Sequence, residues 1–115
     1  MTETVRYAVL AHATEPVADT IAACLQIVFE GHESAYWGPY ELSTADRQAV
    51  KKVRVYLNRD PMFDAQTDPA EERFFNPRYQ SHGVLVETSL EADEHQRVLQ
   101  ALSRAFPGSE VIGDA

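Results

Sequence analysis

The side chains best suited to chemistry are histidines and clustered carboxylates, but their spacing matches no catalytic or metal-binding motif. The four histidines are His12, His32, His82 and His95. No two of them have the i, i+4 spacing of a helical zinc site. Asp60, Asp64 and Asp68 have no glycine between them, whereas a calcium-binding EF-hand loop needs ligands at alternate positions and a glycine turn. We predict no metal, no cofactor and no catalytic residue. The alternative is that His12, His32 and His82 converge at one rim of a sheet as a catalytic or metal-binding trio.

The same carboxylates belong to a segment whose composition indicates protein recognition. This segment, residues 58–81, is called the long loop; it shows no sustained periodicity and contains Pro61, Pro69 and Pro77. A connection of this length inside a domain is commonly functional or mobile. Rings supply anchor area at interfaces, while carboxylates steer and pair with a basic partner. The predicted partner-binding residues are Asp60, Phe63, Asp64, Asp68, Glu71, Glu72, Phe74, Phe75, Tyr79 and, earlier in the chain, Trp37. In the alternative interpretation the rings fold back onto the sheet and the charges stay solvated.

Two other groups of residues have structural interpretations. Cys24 lies in the apolar stripe of a predicted helix, and a nucleophilic thiol needs exposure and electropositive neighbours, so we predict a core residue. The one basic cluster comprises Arg47, Lys51, Lys52, Arg54 and Arg59. We predict a solvated, salt-bridged face there, with a phosphate or carboxylate site as the alternative.

Length and composition indicate the number of domains, and net charge limits the classes of partner. With 115 residues, 44% of them hydrophobic, the chain is predicted to form a single α+β domain over residues 1–115. A formal net charge of -8 disfavours nucleic acid and anionic membranes, both of which attract basic surfaces. The segment MTETVR is polar and acidic, without the basic start and the apolar run of a signal peptide. We therefore expect a cytoplasmic protein.

Hydrophobic periodicity predicts strands that alternate with two helices. The predicted order is a strand at 5–12, a helix from Thr14 to Gly31, strands at 32–42 and 50–57, the long loop, a strand at 83–87, a helix ended by Pro107 and Gly108, and a short strand at 110–112. The first helix has an inward stripe of Val17, Ile21, Cys24, Leu25, Val28 and Phe29. Thr88 and Glu91 have the spacing of a capping box for the second helix. Its predicted stripe is Leu90, Val98, Leu99, Leu102, Ala105 and Phe106.

This order of elements predicts an α+β, ferredoxin-like two-layer sandwich. Two helices that cross between strands favour one face of a mixed β-sheet, with one strand added to the usual set. Such a fold hosts many unrelated functions, so it indicates none of them.

Four strings resemble small bacterial proteins of immunity type: YWGPY at 36–40, VRVYLNRDP at 53–61, ERFFNPRY at 72–79 and GVLV at 83–86. The resemblance is one of layout across about half the chain. It implies a small, acidic, cytoplasmic protein that binds a toxin domain, and it carries over no individual residue.

The leading hypothesis is a non-enzymatic protein-binding module, an immunity-type inhibitor of a basic toxin or effector domain. The alternative is a small ligand-binding or enzymatic ferredoxin-like domain that acts as a homodimer. In that case the polar groups of its pocket are expected to be His12, Tyr40, Arg54 and His82.

Overall fold

The chain forms an α+β fold in which two helices pack on a six-stranded antiparallel sheet. The computed structural model describes residues 3–43 and 52–114. The elements are β1 (Glu3–Val9), α1 (Thr14–Leu25), β2 (Phe29–Ser34), β3 (Gly38–Ser43), β4 (Lys52–Leu57), β5 (Val84–Leu90), α2 (Ala92–Ala105) and β6 (Glu110–Asp114), with 3₁₀ turns at Ala70–Arg73 and Pro77–Tyr79 in the long loop.

The strand order is β2-β3-β4-β5-β1-β6, and each neighbouring pair is antiparallel. The prediction of a mixed sheet is therefore wrong. Strands β5 and β6 are joined by α2, but β1 lies between them, so the crossover does not bring parallel strands side by side. The sheet also has two strands, β2 and β3, where the sequence predicted a single one.

The main core lies between the helices and one face of the sheet. Alternate residues of the central strands point toward the helices, so Val53 and Val55 are fully buried there. Both helices contribute to this core, α1 through Val17 and Ile21 and α2 through Val98 and Leu102 among others. Cys24 packs against it as a partly buried residue. The helices thus occupy one face and leave the other to the loops.

The first helix is shorter than predicted. It ends at Leu25, because Gln26 adopts the left-handed conformation (φ 56°) and its N–H donates to the carbonyl of Ala22. Val28 and Phe29 therefore lie outside the helix, and Phe29 begins β2. Gly31, predicted to stop the helix, lies within that strand.

The predicted capping box is displaced by three residues. Thr88 lies in β5, where its hydroxyl donates to the carbonyl of Val5. The capping box of α2 is instead formed by Glu91 and Glu94. Thr88 and Glu91 have the same three-residue spacing as Glu91 and Glu94. Because the strand alternation of β5 continues through the buried Leu90, the later pair begins the helix.

The predicted strand at 32–42 is a hairpin with a turn at residues 35–37. Gly38 has a φ of 70°, and the Ser34 hydroxyl oxygen accepts the Trp37 N–H, which closes the turn. Pro39 pairs with Glu33 of β2, so β2 rather than the proline-containing strand forms the edge. The sequence also predicts a polar connection at 43–48; Ser43 is the last residue of β3, and the rest of that connection, with Arg47 and Lys51, lies outside the described residues.

Among residues 3–43 and 52–114, the structure contains no helix with the length and apolar character that a bilayer crossing requires.

Candidate protein-binding surface

The sheet face opposite the helices carries a second cluster, here called the aromatic face. Its buried residues are Ala8, Tyr56 and Leu85, and the side chains packed over them are Trp37, Tyr40, Phe75, Tyr79 and Ile112. Trp37 comes from the turn between β2 and β3, whereas Phe75 and Tyr79 come from the long loop. The loop folds back across the sheet, so Phe75 and Tyr79 pack onto it as the alternative interpretation predicted, and they join Trp37 in one cluster.

Trp37 is the centre of the aromatic face. Its ring centroid lies 4.6 Å from that of Tyr56, 5.7 Å from that of Phe75 and 4.8 Å from that of Tyr36. The guanidinium carbon of Arg54 lies 4.6 Å from the Trp37 ring centroid, within the range of a cation–π contact. Tyr36 is 58% exposed, so the cluster is a packed layer whose outer edge is apolar and faces solvent.

An ion-pair ladder crosses the sheet beside these rings. The carboxylate oxygens of Glu87 lie 3.6 Å from Nε of Arg6 and 3.7 Å from Nη1 of Arg54. The Nε of Arg54 is buried and has no hydrogen-bond partner among the described residues. Arg6 and Glu87 line a cleft of about 200 Å³ at this point, together with six ring or apolar side chains that include Trp37 and Phe75. The predicted ion pairing at Arg54 is present, with Glu87 of β5 as its partner, but the prediction of a solvated face is wrong there, because the Arg54 side chain is mostly buried against Trp37.

Asn58 fixes the long loop to the end of β4. It is 3% exposed, and its side-chain amide donates to the carbonyls of Asn76, Tyr79 and His82 at 3.1, 2.9 and 3.2 Å. Its side-chain oxygen accepts the N–H of Asn76 at 2.8 Å. Sequence reasoning missed this residue; the available signal was a polar side chain directly after the apolar alternation of β4.

The three predicted aspartates of the loop shape its turns. The carboxylates of Asp60, Asp64 and Asp68 accept backbone N–H groups of Met62, Gln66 and Asp64, each at 2.9 Å. Such bonds are typical of Asx turns. These carboxylates therefore hold the loop in shape. Glu71 and Glu72, in contrast, are exposed in the first 3₁₀ turn.

The remaining predicted rings do not join the aromatic face. Phe74 lines a separate cleft of about 290 Å³ with His12 and Arg59. The guanidinium carbon of Arg73 lies over Phe63, 6.0 Å from the centroid of the phenyl ring. The loop contains three arginines as well as five carboxylates, so its own excess of negative charge is modest.

Three of the histidines have separate partners. His95 is buried; its Nε2 donates to the Glu3 carbonyl at 2.8 Å and its Nδ1 lies 2.9 Å from the Tyr7 hydroxyl. His82 Nε2 donates to the carbonyl of Gly108 at 2.9 Å, and His32 stacks on Tyr40. Within the described part of the chain, no three His, Cys, Asp or Glu residues are grouped so that they could hold a metal ion.

Two buried tyrosines make the fold sensitive to alkaline pH. Burial raises the pKa of Tyr7 to about 12, and burial together with the nearby Glu87 carboxylate raises the pKa of Tyr56 to about 12. Both hydroxyls ionise near pH 10 in the unfolded chain. The folded state therefore binds more protons between these values, and its stability is lost as pH rises from about 10 through 12.

We expect the free energy of unfolding, measured in urea, to fall steeply above pH 10. Tyr7→Phe and Tyr56→Phe should each make that fall shallower, because each removes one group that titrates. At neutral pH, Tyr7→Phe should also cost about 1 kcal/mol for the hydrogen bond near His95. Variants that follow the parent's pH dependence unchanged would contradict the assignment.

Comparison with protein-family models, curated proteins and solved structures finds no match for this chain. The function proposed below rests on the geometry of the aromatic face and the long loop.

Proposed function

We propose that the chain is a non-enzymatic protein-binding module, an immunity-type inhibitor that binds and neutralises a basic toxin or effector domain in the cytoplasm. The observation that carries this proposal is the joining of a partly exposed aromatic face to a loop with exposed carboxylates. Tyr36 and Met62 are 58% and 66% exposed. Glu71 and Glu72 are exposed on the same loop that supplies Phe75.

The two kinds of side chain have different roles in the proposed complex. The exposed Tyr36 ring and Met62 supply apolar area that loses water on contact. The carboxylates Glu71 and Glu72 attract a basic surface, which speeds encounter and fixes orientation more than it raises affinity. The overall charge of -8 acts in the same direction.

The loop is held in shape before any partner arrives. Asn58 fixes its far end through four hydrogen bonds, and the turn aspartates fix the part between. Ordering a mobile loop during binding costs free energy. A loop that is already ordered avoids much of that cost, which suits an inhibitor that must bind a toxin tightly.

The second candidate is a small ligand-binding or enzymatic domain that acts as a dimer. The cleft beside Arg6 and Glu87 is the observation in its favour, but at about 200 Å³ it is smaller than the roughly 300–1,000 Å³ typical of ligand pockets. The four polar residues expected for that pocket also have other partners or surroundings: Tyr40 stacks on His32, for example, and His82 bonds Gly108. The protein-binding function is therefore preferred.

We also propose that the strands next to the helices form a ferredoxin-like core with the hairpin β2–β3 inserted into it. The order β4-β5-β1-β6 within the sheet supports this assignment. The helix α1 with the hairpin connects β1 to β4, with β5 between them, and α2 connects β5 to β6, with β1 between them. The six-stranded order as a whole differs from the usual four-stranded one.

The proposed function is tested with the protein encoded next to this chain in its genome. We expect co-expressed chains to elute as one complex in size-exclusion chromatography, and the neighbour's toxicity to host cells to be suppressed by this chain. A neighbour that is basic and toxic, but neither binds nor is suppressed, would contradict the proposal.

A further inference from the structure

Strand β2 forms one edge of the sheet. Among the described residues it has a strand neighbour, β3, on one side only. In an antiparallel pair, alternate residues direct their backbone N–H and C=O groups away from the partner strand. Such an edge is a template for one more strand.

The region around this edge is acidic. Residues 7–43 contain no lysine or arginine. Their carboxylates are Glu15, Asp19, Glu30, Glu33 and Glu41. Natural edge strands often carry charges that prevent unwanted pairing. On β2 the carboxylates Glu30 and Glu33 both carry negative charge. A strand that pairs with β2 must therefore tolerate, or complement, a negative field.

A groove beside the edge combines these charges with apolar surface. It has a volume of about 380 Å³ and lies between α1 and the hairpin β2–β3. Glu15, Asp19 and Glu41 line it together with Ile27 and Val28, among others. Val28 is 67% exposed. The groove thus offers an apolar contact ringed by carboxylates.

The alternation of β2 places the groove on one side of the edge. Phe29 packs against the helix-side core, and Gly31 pairs with Glu41, which lines the groove. Residues of β2 at odd positions therefore face the helix side, and His32, stacked on Tyr40, faces the other. Gly31 has no side chain, so the groove stays open at the middle of the strand.

A second copy of this chain is a poor occupant of the edge. Antiparallel pairing of two β2 strands would bring Glu30 and Glu33 of one copy close to the same carboxylates of the other. Like charges opposite each other destabilise a strand pair, and each chain carries a net charge of -8. The charge pattern selects a basic occupant.

We infer that β2 receives an extended segment rich in lysine or arginine, which adds to the sheet as a further strand and directs alternate basic side chains into the acidic groove. This inference rests on the proposed function and names the chemistry of the partner. Main-chain hydrogen bonds supply affinity in this mode of recognition, and the side chains that enter the groove supply specificity.

The test uses a synthetic peptide of alternating lysine and valine as the probe. The matched control is the same peptide methylated on alternate backbone nitrogens, which keeps the charge but removes the donors. We expect the unmodified peptide to bind in fluorescence anisotropy at low salt and to slow hydrogen exchange of β2 amides. The methylated peptide should bind at least about tenfold more weakly, since it loses several main-chain bonds of roughly 1 kcal/mol each.

Charge reversals locate the binding site. Glu33→Lys on β2 should weaken the peptide about tenfold, because it replaces attraction with repulsion at the edge. Glu110→Lys makes the same change on β6, the opposite edge strand, and should leave binding within about twofold. Equal effects of the two variants would overturn the assignment to β2.

The remaining outcomes are also decisive. Equal binding of both peptides would overturn strand addition, as would no binding of either. Protection of β2 amides in a homodimer without peptide would assign the edge to a second copy and overturn the inference. If the neighbour-encoded protein binds parent and Glu33→Lys equally, this inference fails while the proposed function stands; if that protein binds neither, the proposed function itself fails.

Discussion

Asn58→Asp is expected to lower the free energy of unfolding by about 3–5 kcal/mol, because it replaces a buried donor with a buried charge. In the parent, the side-chain amide donates to three carbonyls of the long loop and its border, and the residue is 3% exposed. A carboxylate at that position faces three carbonyl oxygens without a proton to share. The loss should appear in urea denaturation, and in the amide signals of Asn76 and His82.

The matched control is Gln66→Glu, the same amide-to-acid change at an exposed position of the same loop. Its effect should stay within about 0.5 kcal/mol, as is usual for surface substitutions. If both variants have the same stability, Asn58 does not fix the loop. A destabilised Asn58→Asp variant that keeps the parent's loop signals would also contradict this role.

The regular elements of the protein follow from local pattern. Val53 and Val55 alternate with Arg54 and Tyr56, and the structure buries the valines under the helices while the other two join the opposite face. The strand at 110–112 and the helix end near Pro107 were also predicted from local signals, and both are confirmed. In each case the information lies within a few residues of the element.

The errors in the predicted fold have non-local or ambiguous causes. The hairpin at 29–43 depends on a positive φ at Gly38. The alternation of apolar and polar residues along its two strands is also compatible with a single continuous strand. The extended first helix was predicted because Val28 and Phe29 continue its apolar spacing, but Gln26 reverses the chain before them. Periodicity does not report where the chain leaves the helical conformation.

The candidate site was only partly predictable. The sequence shows that one long loop contains acidic residues and rings. It does not show which carboxylates accept backbone N–H groups within the loop and which are exposed to a partner. Asn58 was missed because its acceptors lie 18, 21 and 24 residues further along the chain. The separation of Phe74 from Phe75 follows from the fold of the loop across the sheet, which no local pattern encodes.

The structure also decides which carboxylates give a clean test of recognition. Reversing Asp64 or Asp68 would remove acceptors of backbone N–H groups and disturb the turn itself. Glu71 and Glu72 are exposed in a 3₁₀ turn, so their reversal changes mainly the charge that a partner meets. A control with the same change in net charge is Asp93→Lys with Glu110→Lys, at exposed positions on α2 and β6.

The most direct test of electrostatic recognition is the rate of association with the protein encoded next to this chain in its genome, measured by stopped-flow fluorescence as a function of salt. We expect the parent rate to fall as salt rises, because screening weakens the attraction. Glu71→Lys with Glu72→Lys should slow association about tenfold at low salt and flatten that dependence, while the control pair has a smaller effect. Rates that are independent of salt and equal in all three proteins would contradict electrostatic recognition through the long loop.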